Sequence, residues 1–446
     1  MAKTLDDQYH SDTNRGSSMG SWCSVQRTDQ AVEIELRPSP DRFWPTHVLQ
    51  TDPVRLGDAD GLEVVISGSG AVWMYAHCAA MAAASGAYAC RAQTPHVPGD
   101  EHDTTHCRSL LVFQGEEARN ALLHIDLAAG VHFSEQAIRR LVEPRLAELE
   151  RVVPETVAVS GRAPVTVYAE VSYRAVRRGV QRLWCWSARD GLVAVYDASG
   201  GPLGSMDLPT WLWQALPRPD TPFIVGVIGD PNRGKSVFSY VLDAYRQRVL
   251  GCTGWRLDCD GQSPTPNWYL SLRRQTEQTT QAGQGRKKIT WTHPMERRIQ
   301  HQLQIARRLF DVLIADLPGG NHSVQPPQRI PDGREIIFRE VDAFILLDDH
   351  GGTSEPHWRA ELKKHGLESR LVAVIRSAEP RSRPSLTGRW VDDVWRGNVT
   401  GLDRTWIHEK TLRVVQAFKP ALDDLWQDLR PMSATRAWGK GVINAS

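Results

Sequence analysis

The sequence predicts an α/β protein in which two small tandem α/β modules precede a larger domain with a mainly parallel sheet. Two observations carry this: a segment written twice in the N-terminal half, and apolar strands alternating with helical stretches beyond residue 222. Residues 64–76 read VVISGSGAVWMYA and residues 157–169 read VAVSGRAPVTVYA. Val64, Ser67, Gly68, Val72, Tyr75 and Ala76 thus recur 93 residues later as Val157, Ser160, Gly161, Val165, Tyr168 and Ala169. Each copy reads as a strand, a Ser-Gly turn and a helix start.

The first unit spans residues 30–118. It opens with the alternating strand AVEIELRP at 31–38 and continues, after a Pro- and Asp-rich connection, into the Ser-Gly segment, AYACRAQ and LLVFQG. The second spans 119–203: ALLHIDLAA, the helix-patterned FSEQAIRRLVEPRLAELERVV with Ser134 as N-cap and Pro144 as a candidate kink, the Ser-Gly segment, RLWCWS and LVAVYD. Residues 1–29 read as a disordered tail. The first unit carries the insert TPHVPGDEHDTTHC, whose His96, His102, His106 and Cys107 are metal-ligand types at a spacing that matches no common zinc pattern, so a solvent loop is expected. Residues 204–221, with Trp211 and Trp213, read as a Pro-rich linker to the domain at 222–446.

Composition narrows the partners. Fifty-three basic against 52 acidic residues leave a net charge of +1, so no global field draws the chain to long nucleic acid or an anionic membrane. The seven cysteines are scattered without a C-x-x-C pair, which fits reduced thiols and a cytoplasmic location. No apolar run reaches the roughly 18 residues of a spanning helix.

The larger domain opens with the strand PFIVGVI, then GDPNRGKS at 229–236, then VFSYVLDAYRQRVL, which is G-x-x-x-x-G-K-[ST] between a buried-type strand and a helix. The nucleotide contacts expected are Gly229, Asp230, Asn232, Arg233, Gly234, Lys235, Ser236 and Val237. Backbone N–H groups and the helix N-terminus face phosphate oxygens, Lys235 reaches the terminal phosphates, and Ser236 ligates Mg2+. In FDVLIADLPGGNH, Asp316 ends a strand where an acid holds the magnesium shell, and Asp311 reads as structural. Asp258 and Asp260, in WRLDCDG, end the next candidate strand; they read either as a base for water or a substrate hydroxyl, or as turn formers before a Gly. VIRSAEP stands where a guanine-reading N-K-x-D would be sought, so ATP is expected over GTP. Arg286, Lys287 and Lys288 are candidates to close over phosphates, and Arg334 and Arg339 to stabilise charge.

The Ser-Gly turns form a second kind of anion site. Backbone N–H groups and the hydroxyls of Ser67 and Ser160 suit a phosphodiester, and Arg162 adds a planar fork; the plainer reading is that the serines cap helices while Tyr75 and Tyr168 pack in cores. HIDL, SGRAPVTVY and LVAVYD resemble the small CRISPR-associated ring nucleases, in which a Ser-Gly-Arg-x-Pro turn precedes a helix. GDPNRGKSVF, WRLDCDGQSPTPNWY, RLFDVLIADLPGG and GREIIFREVDAFILL are similar to the AAA-type ATPase domain fused to some members. The resemblance implies binding, and in some members metal-dependent cleavage (here with Mn2+), of cyclic oligoadenylate by Ser67, Gly68, Ser160, Gly161, Arg162 and Asp197, gripped between modules of a homo-oligomer. A family histidine after the turn aligns with Tyr173 and Ala80, with His77 near but not aligned. The family's Pro-Arg after the strand-end Asp is Ala198-Ser199, and Gln114 stands for that Asp in the first unit. Three functions follow as expectations: a CRISPR-associated ATPase with ring-nuclease-like modules, a P-loop kinase using Asp258 or Asp260, and a non-catalytic oligoadenylate sensor.

Overall fold

The structure is a computed structural model that describes residues 21–38, 44–93, 107–114, 116–127, 135–187, 190–205, 222–260, 291–403 and 407–429. Ser134, His96, His102, His106, Trp211, Trp213, Arg286, Lys287 and Lys288 lie outside the described residues. The class is α/β, and the strands form sheets of four, five and seven.

The first sheet comprises β1 (Cys23–Arg27), β2 (Ala31–Leu36), β3 (Glu63–Gly68) and β4 (Ala89–Ala92), with helices α1 (Val48–Thr51) and α2 (Val72–Ala84). The second comprises β5 (Arg108–Gln114), β6 (Asn120–Asp126), β7 (Thr156–Arg162), β8 (Arg182–Ser187) and β9 (Gly191–Asp197), with α3 (Glu135–Val152) and α4 (Val165–Arg177). Both begin with an antiparallel hairpin and continue with two parallel steps. Two assignments made from sequence are therefore corrected. Cys23–Arg27 is a strand, not tail, because its backbone pairs with β2. Residues 108–114 belong to the second module, because β5 pairs along its whole length with β6 and so falls on the far side of the proposed 118/119 boundary. Helix α3 runs through Pro144, which sits on its exposed face.

The repeated turn is built the same way twice. Gly68 and Gly161 have φ of +93° and +103°, and a Cβ would stand 2.1 Å from the Leu36 carbonyl oxygen and 2.0 Å from that of Ile125. Only glycine fits so close to the neighbouring strand in that conformation. Tyr75 and Tyr168, one helical turn inside the helices that follow, each donate their hydroxyl to the glycine carbonyl at 2.7 Å.

Helix α2 packs on α4, so the two modules share one core. Polar bonds cross the join: Trp73 Nε1 donates to Asp190 Oδ2 at 3.0 Å, and Tyr173 Oη to the Ala87 carbonyl at 2.8 Å. His77 Nδ1 donates to the Val195 carbonyl at 2.7 Å. His77 and His124 are both buried with Nε2 bonded to nothing among the described residues, and burial pushes both down to about 4 from 6.5. Neutral imidazoles are thus built in. Their contribution is complete above the unfolded value of about 6.5 and is lost as pH falls toward 4, roughly 2 kcal/mol per histidine by pH 5. Urea midpoints should drop between pH 7 and pH 5; equal midpoints would contradict the burial of two uncharged rings.

The sheets differ in how many faces they bury. In β2, Val32, Ile34 and Leu36 are buried while Glu33 and Glu35 face solvent. In the second module alternate residues enter different cores. Leu123, Ile125, Val157, Val159, Leu183, Cys185, Val193 and Val195 face the helices, while Leu122, Ala158, Trp184, Trp186, Leu192 and Ala194 face the C-terminal domain. The period of two sends neighbours to opposite faces, which is why ALL at 121–123 and LWCW at 183–186 run apolar without a break where AVEIEL alternates. Trp186 and His124 meet Phe310 edge-on, with centroids 5.6 and 5.4 Å apart.

The third sheet holds β10 (Phe223–Ile228), β11 (Gly254–Asp258), β12 (Val312–Asp316), β13 (Ala343–Asp348), β14 (Leu371–Ser377), β15 (Ser385–Val391) and β16 (Val394–Thr400). Their order is β11-β12-β10-β13-β14-β16-β15, parallel except for β15 at the edge. Helices α5 (Lys235–Tyr245), α6 (His293–Leu309), α7 (Glu335–Arg339), α8 (Glu355–Lys364) and α9 (Ile407–Leu429) accompany it. The helix expected to continue to residue 250 passes instead into a π-helical turn at Arg246–Leu250. β12 lies directly beside β10, with Val227 opposite Asp316. Among the described residues no helix is long and apolar enough to cross a membrane.

Candidate nucleotide site

The C-terminal ends of β10, β11, β12 and β13 meet at one edge of the parallel sheet, where ligands enter folds of this class. Gly229, directly after β10, has φ of +144°, and a Cβ there would stand 2.4 Å from the Leu347 carbonyl oxygen on β13. The chain turns through Asn232, exposed and left-handed at φ 64°, and Gly234 at φ 85° starts α5. Lys235 Nζ lies folded into the loop, donating to the Gly229 carbonyl at 2.9 Å and the Asp230 carbonyl at 3.1 Å. Ser236 is half-buried on the first turn of α5, and Val237 is in the core beneath it.

The loop after β12 closes over the other side. A Cβ on Gly319 would stand 3.0 Å from Lys235 Nζ and 3.1 Å from the Pro231 nitrogen, so the two loops are in near contact. Asp230 was expected among the nucleotide contacts, but its carboxylate turns to protein. It accepts from Arg329 Nε at 3.1 Å, Arg329 Nη2 at 3.2 Å and Trp358 Nε1 at 2.9 Å, with His322 Nε2 at 3.6 Å. Its side chain pins the loop at 229–236 to the loop after β12. Arg233 lies 3.8 Å from Asp349 Oδ2.

Asp316, buried at the end of β12, is bonded through Oδ2 to the fully buried Arg256, whose Nε donates to Ser239 Oγ on α5 at 2.7 Å. Ser236 and Asp316 supply oxygen donors alone, the chemistry Mg2+ prefers when it keeps several waters and takes one or two protein ligands. Asp258 stands opposite Asp316 on β11 and accepts the Asp260 N–H at 3.0 Å, so the turn-forming role is present. Burial first, then Asp316 and Asp260, raise its carboxyl to about 7 against the pull of Arg256. That value gives a base poised near neutrality. Asp311 is structural, accepting from the Thr253 N–H and hydroxyl at 2.8 Å each. Arg334 stacks 4.2 Å from the Trp291 ring, and the Arg339 carbonyl accepts from Arg370 at 2.9 Å.

In the second module Asp197 is not brought to the Ser-Gly-Arg turn. Asp197 pairs with Arg182, which pairs with Thr156 at the start of β7, whereas Ser160, Gly161 and Arg162 lie at its other end. Four to six residues of strand separate them, roughly 13–20 Å. The reason is that β9 runs antiparallel to β8 and returns to the opposite edge. Asp197 instead accepts the Ser199 N–H at 2.8 Å, closing its own turn. Ser160 is buried, with Oγ 3.0 Å from His124 Nδ1. Arg162 pairs with Asp243 of α5, lies 3.5 Å from Gln247 Oε1 and covers the Trp255 ring at 5.5 Å. Ser67 is half-buried and Gly68 exposed, so the first module's turn is the one open to solvent. Among the described residues no group of three His, Cys, Asp or Glu stands close enough to hold a metal ion.

Arg329, Trp358, His322 and Arg256 were not identified from sequence. Arg256 had a signal: a charge between the apolar Trp255 and Leu257 in the strand GWRLD, which a buried strand carries only with a partner.

No family model matches the chain, and no curated protein matches it. Among solved structures, a DUF1611 family protein from Anabaena variabilis aligns with 56% of this chain and 77% of its own, at 12% identity and a TM-score of 0.24. The signal recognition particle 54 kDa protein of Aeropyrum pernix, in complex with GDP, aligns with 68% of each chain at 14% identity and a TM-score of 0.25. At these scores neither likeness bears on chemistry.

Proposed function

We propose that this protein binds ATP with Mg2+ at residues 229–237 and hydrolyses it, and that its paired modules bind cyclic oligoadenylate without cutting it. The observation that carries the nucleotide reading is the position of Lys235, inside a glycine-bounded loop at a helix start and beside the Gly319 loop. Bound triphosphate offers Lys235 Nζ phosphate oxygens in place of the two loop carbonyls, and the α5 N-terminus adds its N–H groups. Magnesium, when bound at Ser236 and Asp316, supplies neutralisation of the phosphate charge. Adenine is favoured by the lack of a guanine-reading N-K-x-D after the later strands. The reading of the modules rests on the resemblance together with the duplicated Gly–Tyr turn and the joining of both copies through α2 and α4. Cleavage is left out because Asp197 stands far from the Ser-Gly-Arg turn.

Asp258 favours a second reading, phosphoryl transfer to a hydroxyl. A carboxyl raised to about 7, beside the acid of the magnesium site, suits removal of a proton from an alcohol or water. Product analysis separates the two. Hydrolysis releases one inorganic phosphate per ADP; a kinase yields ADP with phosphate retained on an added alcohol. Labelled cyclic tetra-adenylate should be recovered intact from a stable complex, and linear product or no complex would reject the sensor.

A further inference from the structure

We propose that Arg162 and Asp126, in the second module, are positioning residues for nucleotide binding by the C-terminal domain. The proposal rests on reading residues 229–237 as a nucleotide site. Helix α5 carries Lys235 and Ser236 on its first turn and Asp243 near its last, 11 residues spanning about 16 Å. At its far end the charges alternate across the domain boundary. Arg162 pairs with Asp243; Arg246 Nη2 bonds Asp243 Oδ1 at 2.9 Å, and Arg246 Nη1 lies 3.4 Å from Asp126 Oδ2. Gln247 Nε2 closes the set, donating to Asp126 Oδ1 at 3.0 Å and the Leu127 carbonyl at 2.6 Å.

This is a built joint. Asp243 and Arg246 have no exposed side-chain surface, Asp126 is 3% and Arg162 19% exposed. The two acids and two arginines sum to zero charge, so each is neutralised without solvent. The π-helical turn at Arg246–Leu250 begins at the residue that makes these bonds, and such turns concentrate at functional sites. A Cβ on Gly254 would stand 2.5 Å from Arg246 Cδ, so β11 leaves room for that arginine.

The same helix reaches the acid of the magnesium site. Ser239, midway along α5, receives Arg256, which holds Asp316; Trp255, the residue before Arg256, lies under Arg162. Moving Arg162 therefore disturbs both the phosphate loop's helix and the strand that holds Arg256. The anion-type group that meets Arg162 is Asp243, a carboxylate of this chain, which leaves the open Ser67–Gly68 turn of the first module as the one free for the proposed cyclic oligoadenylate.

Arg162→Gln tests this in the full chain. The expected result is about a tenfold rise in Kd for a fluorescent non-hydrolysable ATP analogue with Mg2+, about 1.4 kcal/mol. KM should rise equally and kcat stay within about twofold. A purely structural role would lower Tm and the active fraction, hence kcat, while molecules still folded kept their KM. Arg162→Lys should recover part of the affinity. If Arg162→Gln does not fold, Gln247→Leu removes the bonds to Asp126 and Leu127 without baring a charge, with an expected threefold rise in Kd. Unchanged Kd in the folded variant overturns the proposal. Absence of nucleotide binding by the unaltered chain, or binding indifferent to Lys235→Ala, overturns the nucleotide reading and the positioning role with it, a result distinct from a coupling that is merely missing.

Discussion

Lys235→Ala should weaken the proposed ATP binding by at least about 100-fold and remove turnover. The ammonium makes two carbonyl bonds inside the loop, and in the proposed nucleotide complex triphosphate would offer it bonds between opposite charges worth roughly 1.5–3 kcal/mol each. Two such bonds correspond to about two to four orders of magnitude. Lys235 is only half-buried on the first turn of α5, so Tm should fall by little. A binding titration with and without Mg2+ checks the claim, and affinity retained within about threefold would refute the nucleotide site.

Asp243→Ala has the largest expected effect on stability, a loss of about 3–5 kcal/mol, because it strands the guanidiniums of Arg162 and Arg246 without their shared carboxylate. The acid limb follows from the same group. Burial pushes the Asp243 carboxyl up, but Arg162 and Arg246 more than offset it and hold it below its ordinary value. A depressed carboxyl contributes fully above its unfolded value near 4 and loses that contribution as pH falls through the folded value. Urea unfolding at pH 7 should show the loss, and a variant within about 1 kcal/mol of the parent would mean that the joint holds the domains weakly.

Local features were legible in the sequence and long-range partners were not. The phosphate loop needs only eight residues and its flanking elements, so GDPNRGKS was sufficient to place Lys235 and Ser236 on the first turn of a helix after a buried strand. The duplicated turn was legible because its glycine and tyrosine are seven residues apart. Arg162 was assigned to a ligand because its partner, Asp243, comes 81 residues later. The bonds of the Asp230 side chain to protein were not legible because Trp358, which donates to it, is 128 residues away. Asp197 was placed beside the Ser-Gly-Arg turn because a strand's direction is set by pairing: LVAVYD reads the same whether it ends at one edge of the sheet or the other. The module boundary failed for a related reason. Residues 108–114 follow the first repeat in the chain, but their hydrogen bonds go to the strand that comes next.

The second module's sheet, covered on both sides, limits how the protein can be dissected. Cutting the chain between residues 205 and 222 would bare Trp184, Trp186, Leu192 and Ala194, all buried against the C-terminal domain. A fragment ending there would present a wide apolar face and self-associate. The complementary fragment would bare Trp255 and Phe310. Neither half is a free-standing unit, and the two are better regarded as one folding block, whose parts are studied by point substitution in the intact chain.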